Sequence, residues 1–146
     1  MERLSYAKSF GDLFAYQQAR TLAKDIFEIS KRFPREEIYA LTDQIRRSSR
    51  SMGAQIAEAW AKRRYERHFI SKLTDADGEQ QETQHWLETA FDCGYLSQEE
   101  LDDLRSRCQR IGKLLAGMID KADLFCGDSK TLIREPEPQY GVSDDL

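Results

Sequence analysis

Apolar residues recur every three or four positions along four long stretches of the chain, and no stretch alternates apolar and polar residues. Such a repeat places apolar side chains on one face of an α-helix, so the pattern predicts four amphipathic helices and no strands. The first helix is expected over residues 12–33, with Asp12 as its N-cap and Pro34 ending it. Its apolar face comprises Leu13, Tyr16, Ala19, Leu22 or Ala23, Ile26, Ile29 and Phe33.

The second helix is predicted to start near Arg35, where Glu36 and Glu37 suit the positive end of its dipole. Gly53 lies in its interior and should weaken or bend it by about 1 kcal/mol relative to alanine. The basic stretch 62–67 is expected to hold the turn that follows. The apolar stripe of this helix comprises Ile38, Leu41, Ile45, Ser49, Met52, Ile56 and Trp60.

The third helix is predicted over residues 66–93, with Gly94 as the residue that ends it. Between Thr74 and Gln84 it carries few apolar groups, so its pattern is the weakest of the four. Its buried face is expected to comprise Phe69, Leu73, Ala76, Gln80, Thr83, Leu87 and Ala90.

The fourth helix is predicted to begin with a capping box, in which the side chains of Ser97 and Glu100 satisfy backbone N–H groups. Gly127 is expected to end it. Residues 127–146 carry scattered acidic residues and two prolines without periodicity, which predicts a disordered acidic tail. The stripe of the fourth helix comprises Leu101, Leu104, Cys108, Ile111, Leu115, Met118 and Ala122.

Four long helices with short connections predict an all-α fold, an antiparallel up-and-down four-helix bundle over residues 11–126, between an N-terminal extension (1–10) and the tail. No apolar run approaches the ~20 residues that a membrane span requires. The first residues lack the apolar core of a signal peptide, so a cytoplasmic location is expected. Cys93, Cys108 and Cys126 are widely spaced, which predicts reduced, mostly buried thiols.

The distribution of charge along the chain bears on whether the protein can bind a nucleic acid. The formal net charge of −4, taken alone, argues against a nucleic-acid partner. However, residues 1–72 contain 15 lysines and arginines against 9 aspartates and glutamates, whereas residues 73–146 contain 7 against 17. Because the first half is basic and the second acidic, the position of the basic residues matters more than the net charge.

A family resemblance rests on residues spread over most of the chain, from about Phe10 to Phe125. The matching residues in and before the second helix are Phe33, Pro34, Glu37, Tyr39, Leu41, 44–47, Ser51 and 56–58; those elsewhere are Phe10, Leu13, Gln17, Ala19, Leu22, Phe69, Leu73, Ala76, Gly78, Glu82, Leu87 and 94–96. As a set they resemble the bacterial four-helix-bundle proteins, also called 23S rRNA-intervening-sequence proteins.

This resemblance implies a four-helix bundle that self-assembles, in some members as a ring-shaped homopentamer. Many members are encoded within insertions in ribosomal RNA genes. Distant relatives, the accessory proteins of diversity-generating retroelements, present a basic surface to nucleic acid. The resemblance implies no enzymatic activity.

The chain departs from the family pattern at three positions of the second helix. Gly53 stands where the family has proline, and keeps a helix-weakening residue there. Gln55 replaces an asparagine, so a specific polar role of that asparagine does not carry over. Ala59 replaces a glycine that could have ended the helix, so the second helix can run longer here.

The strongest candidate site is a basic cluster on and after the second helix, whose flank also carries small residues. Arginine suits phosphate because its fork donates two hydrogen bonds at once, and small residues let a neighbouring helix come close. The candidate nucleic-acid-binding residues are Arg46, Arg47, Arg50, Lys62, Arg63, Arg64 and Arg67, and the candidate oligomer-interface residues are Gly53, Ala57 and Ala61.

Three interpretations of this cluster remain open. It can be a solvated helix flank, a subunit interface that meets the acidic half of a neighbouring copy, or a surface that contacts phosphates with salt-dependent affinity. The last two are compatible in a ring. The expected partners are therefore other copies of the chain, in a pentamer by family resemblance, and RNA, with ribosomal RNA as one candidate, or DNA. The alternative is a structural or protein-interaction oligomer without a nucleic-acid role.

No metal site or cofactor is predicted. Glu82 and His85 form a Glu-x-x-His pair, but di-iron bundles use two such pairs and a glutamate from each of two further helices. The sequence singles out no nucleophile and base, and no phosphate-binding loop, so no catalytic residue is predicted.

Overall fold

Four long helices make up most of the computed structural model, which describes residues 7–126. Each helix packs against the next along the chain, and the last packs back against the first, as expected for the predicted antiparallel up-and-down bundle. The predicted tail and Gly127 lie outside the described residues. The helices are α1 (Phe14–Ser30), α2 (Asp43–Ala61), α3 (Glu66–Asp92) and α4 (Gln98–Asp120).

The apolar stripes predicted for α3 and α4 are confirmed, because every residue named for them is buried. In α3 the polar members of the stripe are hydrogen-bonded. Thr83 Oγ1 donates to the carbonyl of Glu79 and lies 2.8 Å from Ser48 Oγ of α2. Gln80 Nε2 donates to Asp77 Oδ1 at 2.9 Å, and its Oε1 accepts from Gln84 Nε2 at 2.7 Å. The two buried polar residues in the middle of α3, Gln80 and Thr83, are therefore hydrogen-bonded.

The predicted end of α3 and the predicted start of α4 are confirmed. Gly94 has a φ of 83°, a left-handed conformation that glycine adopts without strain, and α3 ends two residues before it. Ser97 Oγ accepts from the N–H of Glu100 at 3.1 Å, and Glu100 Oε1 accepts from the N–H of Ser97 at 2.8 Å. This is the reciprocal capping box that the sequence predicts. The predicted end of the fourth helix at Gly127 is wrong, because α4 ends at Asp120 and Lys121 leaves the helical conformation.

The N-cap prediction for Asp12 is wrong. Asp12 closes a short 3-10 turn, Phe10–Asp12, and its carboxylate accepts from the N–H groups of Lys8 and Ser9 at 2.9 and 3.2 Å. α1 begins only at Phe14, after Leu13 in extended conformation. The aspartate side chain reaches back along the chain instead of capping the helix ahead of it.

The start of the second helix also differs from the prediction. A 3-10 turn (Arg35–Glu37) and a π-helical turn (Ile38–Thr42) precede α2. A π turn holds an extra residue, so it shifts the helical phase of what comes before it. Ile38, predicted to be in the core, is therefore 41% exposed beside Tyr39, which is 82% exposed.

Candidate nucleic-acid interface

The outward face of α2 carries the first group of predicted arginines. Arg47 and Arg50 are exposed, and within residues 7–126 neither has a carboxylate within ion-pair distance. Arg46 is half-buried, and its Nε donates to Ser30 Oγ at 2.8 Å. The three arginines line an open depression together with Asp43, Ser51 and Ala54.

The Phe27 ring of α1 lies close to three cations, two of which are arginines of α2. The guanidinium carbon of Arg46 is 4.6 Å from the centroid of the Phe27 ring, and that of Arg50 is 5.2 Å from it. Lys31, four residues further along the chain and just after α1, places its Nζ 4.9 Å from the same centroid. Cations are attracted to the negative face of an aromatic ring, so the ring holds three positive groups together.

The second group of predicted residues occupies the turn between α2 and α3 and, with Arg67, the first turn of α3. Lys62 and Arg67 are exposed, and Arg64 is half-buried. Arg63 stacks on Trp60, with its guanidinium carbon 3.6 Å from the ring centroid, and its Nε donates to the Trp60 carbonyl at 2.8 Å. Since α2 rises 1.5 Å per residue, about 18 Å of helix separates Arg50 from Lys62.

Lys72, another basic residue of this region, is engaged by carboxylates. Its Nζ lies 2.8 Å from Glu58 Oε1 and 3.6 Å from Asp75 Oδ2. The hydrogen bond from Lys72 lowers the pKa of the Glu58 carboxyl, and the same contact raises the pKa of Lys72. This lysine therefore adds little uncompensated charge to the surface.

The predicted interface residues are placed differently from one another. Gly53 is buried, and a Cβ at its position would lie 3.5 Å from Tyr16 Cε1, so its flank meets α1 of the same chain. Ala57 is half-buried and Ala61 is exposed. Gly53 and Ala57 line a groove of about 260 Å³ between α1 and α2, together with Phe10, Tyr16, Ala19, Arg20, Ala23, Arg50 and Ala54.

Sequence reasoning missed the contribution of α1 to this surface. Arg20, Phe27 and Lys31 are seven and four residues apart, a spacing that puts them on one flank of a helix. That spacing is the signal that could have found them. What it does not reveal is that this flank faces the arginines of α2.

Two arginines of α4, and Arg32 after α1, have carboxylate partners instead. Arg107 Nη2 lies 2.7 Å from Asp25 Oδ2 of α1. Arg105 forms an ion pair with Glu88 of α3, and Arg32, after α1, forms one with Glu100.

Gln55 and the Glu82–His85 pair were also singled out from sequence. Gln55 Oε1 is buried and has no hydrogen-bond partner within the described part of the chain. Glu82 Oε2 accepts from Trp86 Nε1 at 3.0 Å, and the His85 ring packs edge-on against Trp86. Residues 7–126 contain no cluster of three or more His, Cys, Asp or Glu side chains that could hold a metal ion.

Two of the three cysteines, Cys108 and Cys126, are buried, and Cys93 is exposed, in agreement with the prediction of mostly buried thiols. Burial raises the pKa of the Cys108 thiol to about 12. No helix within residues 7–126 is both long and apolar enough to cross a membrane.

The fold and its basic outer face define an all-α four-helix-bundle protein. More particularly, the sequence profile of the 23S rRNA-intervening sequence protein family matches residues 11–117, and the chain belongs to that family. It is similar to a crystal structure of a protein of unknown function from the S23 ribosomal protein family of Bacteroides thetaiotaomicron, with 30% identity and a TM-score of 0.66. That similarity covers 73% of this chain and 95% of the other. No curated protein matches the chain.

Proposed function

We propose that this protein is a non-enzymatic, cytoplasmic homo-oligomer that binds RNA, or DNA, through the outward face of α2 and the turn after it. The observation that carries the proposal is the state of Arg47 and Arg50. Both are exposed and have no carboxylate partner within residues 7–126, whereas Arg105 and Arg107 do. Their charge is therefore available to a ligand from outside the chain.

The ligand that this surface suits is a sugar-phosphate backbone. Guanidinium groups donate paired hydrogen bonds to phosphate oxygens, and lysine adds a point charge. The stretch of about 18 Å from Arg50 to Lys62 equals the axial length of about five base pairs, at 3.4 Å each. Because twelve residues also turn a helix by about 120°, one nucleic-acid segment would contact both groups of cations by following the surface around α2.

The family name points to the first RNA to test, because it refers to intervening sequences of 23S ribosomal RNA. Assembly is proposed from the family resemblance, with a pentamer as the first ring size to test. In a ring, each copy would repeat the basic face of α2, so several faces could engage one polyanion and raise its apparent affinity.

The test is filter binding of 23S intervening-sequence RNA at increasing salt. The double variant Arg47→Glu/Arg50→Glu should reduce affinity at least about tenfold and lower the slope of log affinity against log salt. Arg110→Glu/Lys113→Glu is the matched control, because both residues are exposed on α4 and the net charge changes equally. Equal losses of RNA affinity in the two double variants would contradict the proposal. Failure of the unsubstituted protein to bind RNA at low salt would contradict it as well.

An oligomer without a nucleic-acid role is the second candidate, and the exposed Ile38 and Tyr39 favour it. Large apolar side chains that are exposed side by side are typical of protein-contact surfaces. In that case Tyr39→Glu should shift the mass measured by light scattering towards the monomer, and RNA should not bind at low salt. Arg47→Glu/Arg50→Glu should then leave the mass unchanged.

A further inference from the structure

We propose that Phe27 is the platform of a phosphate-binding clamp formed by Lys31, Arg46 and Arg50. The proposal deepens the proposed function, on which it rests for the polynucleotide ligand, by naming the residues that grip a phosphate. It adds Phe27 of α1 and Lys31, the residue that follows α1, to a surface otherwise formed by α2 and its turn.

The first support is the convergence of like charges. Lys31, Arg46 and Arg50 come from two helices, and each places its cationic group within 5.2 Å of one ring centroid. Like charges repel, and one exposed aromatic contact offsets only a small part of that repulsion for each cation. An anion bound between the cations would relieve the remaining repulsion.

The neighbouring carboxylates leave this charge largely uncompensated. Glu28 pairs with Lys31 at 3.2 Å, and both side chains are more than half exposed, so solvent screens the pair. Asp43 lines the same depression as Arg46 and Arg50, but makes no ion pair within the part of the chain described. Neither arginine therefore has a carboxylate partner there.

The second support is preorganisation. Arg46 is held by Ser30 Oγ at its Nε and by the ring, and its two terminal nitrogens make no hydrogen bond within residues 7–126. Those nitrogens are the ones that form a fork on a phosphate. Because the ring and the serine already restrict the arginine, binding loses less side-chain entropy than it would with an unrestrained arginine.

The chemistry recognised is a single phosphate group, either a phosphodiester of a polynucleotide or a free phosphate ion. The experiment follows the guanidinium Nε–Hε resonances of Arg46 and Arg50 while oligouridylate or inorganic phosphate is added. Shifts caused by oligouridylate alone would assign the clamp to the diester. Shifts caused by inorganic phosphate at similar concentration would assign it to the free ion as well.

Two variants with matched controls test the residues. Phe27→Leu keeps the net charge and should lower oligouridylate affinity about threefold, the equivalent of one cation–π contact. Phe14→Leu removes an exposed ring elsewhere on α1 and should leave the oligouridylate affinity unchanged. Arg50→Gln should weaken binding more than Arg110→Gln does, and should lower the salt slope by about 0.7 for a single strand. Thermal unfolding checks that each variant is folded.

The outcomes separate the clamp from the proposed function. The clamp is overturned if Phe27→Leu behaves like Phe14→Leu and Arg50→Gln like Arg110→Gln. If Arg47→Glu still weakens RNA binding in that case, the proposed function survives. Binding of inorganic phosphate without binding of oligouridylate or RNA would support the clamp and contradict the proposed function. No response to any of these anions would overturn both.

Discussion

The two flanks of α1 hold arginines in opposite ways. On the side of α4, Asp25 receives Arg107, and Arg32 pairs with Glu100. On the side of α2, Arg46 and Arg50 lie over a phenylalanine ring and have no carboxylate partner among the residues described. The positive charge of these arginines is thus compensated by a carboxylate on one flank and left uncompensated on the other.

The contribution of an arginine to the stability of the fold and the availability of its charge to a ligand are therefore separate properties. An exposed ion pair contributes about 0–1 kcal/mol, and an exposed cation–π contact contributes about as much. The two flanks can therefore be equally stable. They differ in how strongly they attract an anion from outside, and neither net charge nor the number of arginines reveals that.

Replacing a glycine with alanine should give the largest difference in the free energy of unfolding between the α1–α2 contact and the α3–α4 contact. Gly53→Ala adds a methyl group 3.5 Å from Tyr16, an ordinary contact, and should stabilise the protein by up to about 1 kcal/mol. At Gly112 the new methyl group would lie 2.8 Å from Gln80 Nε2, which is buried and bound to Asp77. Gly112→Ala should therefore destabilise by about 1 kcal/mol, despite the gain in helix propensity. Urea unfolding measures both, and a stabilised Gly112→Ala would contradict the expectation.

Neutralising one arginine on each flank should separate stability from binding. Arg107→Gln removes a contact with Asp25 and should lower the free energy of unfolding by about 0.5–1 kcal/mol, with little change in RNA affinity. Arg50→Gln should weaken RNA binding several-fold, with a stability loss of no more than about 0.5–1 kcal/mol. Unfolding and filter-binding curves on the same preparations check this. Equal effects of the two variants on RNA binding would show that only net charge matters.

Adding a carboxylate should make the α2 flank resemble the α4 flank. Ala54 is exposed and lies one helical turn after Arg50, a spacing at which side chains of opposite charge interact. Ala54→Glu should lower RNA affinity about threefold relative to Ala54→Gln, while stability changes by less than about 0.5 kcal/mol. Equal RNA affinities of these two variants would remove Arg50 from the binding surface.

The smallest effect is expected in the acid titration of Glu100. The hydrogen bond from Arg32, and next that from the backbone of Ser97, lower the pKa of this carboxyl below its ordinary value of 4.5. A lowered pKa in the folded state contributes stability above the unfolded-state pKa, and this stability is lost as pH falls through the folded-state value. Arg32→Gln should raise the pKa of Glu100 without fully restoring it, because the Ser97 N–H still donates. NMR titration of the Glu100 carboxyl carbon measures this pKa. An unchanged pKa in Arg32→Gln would show that the ion pair of Arg32 with Glu100 does not persist in solution.

Features governed by local spacing were predictable from the sequence. The stripe of α3 needed only the period of a helix, and the end of α3 and the start of α4 needed only Gly94, Ser97 and Glu100. Ile38 was misplaced because a π turn changes the phase of the stripe, and nothing in its apolar character distinguishes it from Leu41.

The candidate site was less predictable, because it depends on how one helix lies against another. The sequence identified Arg46 and Arg50, but their contact with Phe27 requires the relative rotation of α1 and α2. The sequence likewise does not reveal that the flank of Gly53, a candidate interface residue, faces Tyr16 of its own chain. A helical wheel gives the flank of a residue but not the neighbour that covers it.

The buried hydroxyl pair of Ser48 and Thr83 has a consequence for the alignment of α2 with α3. Apolar stripes could pack at several longitudinal offsets, since one aliphatic side chain readily replaces another. A slide by one turn, about 5.4 Å, would separate the two hydroxyls. Thr83 would keep its bond to the Glu79 carbonyl, and Ser48 only its longer bond to the Ile45 carbonyl at 3.4 Å. Loss of the hydrogen bond between the helices costs about 0.5–1.5 kcal/mol, so the pair favours one offset.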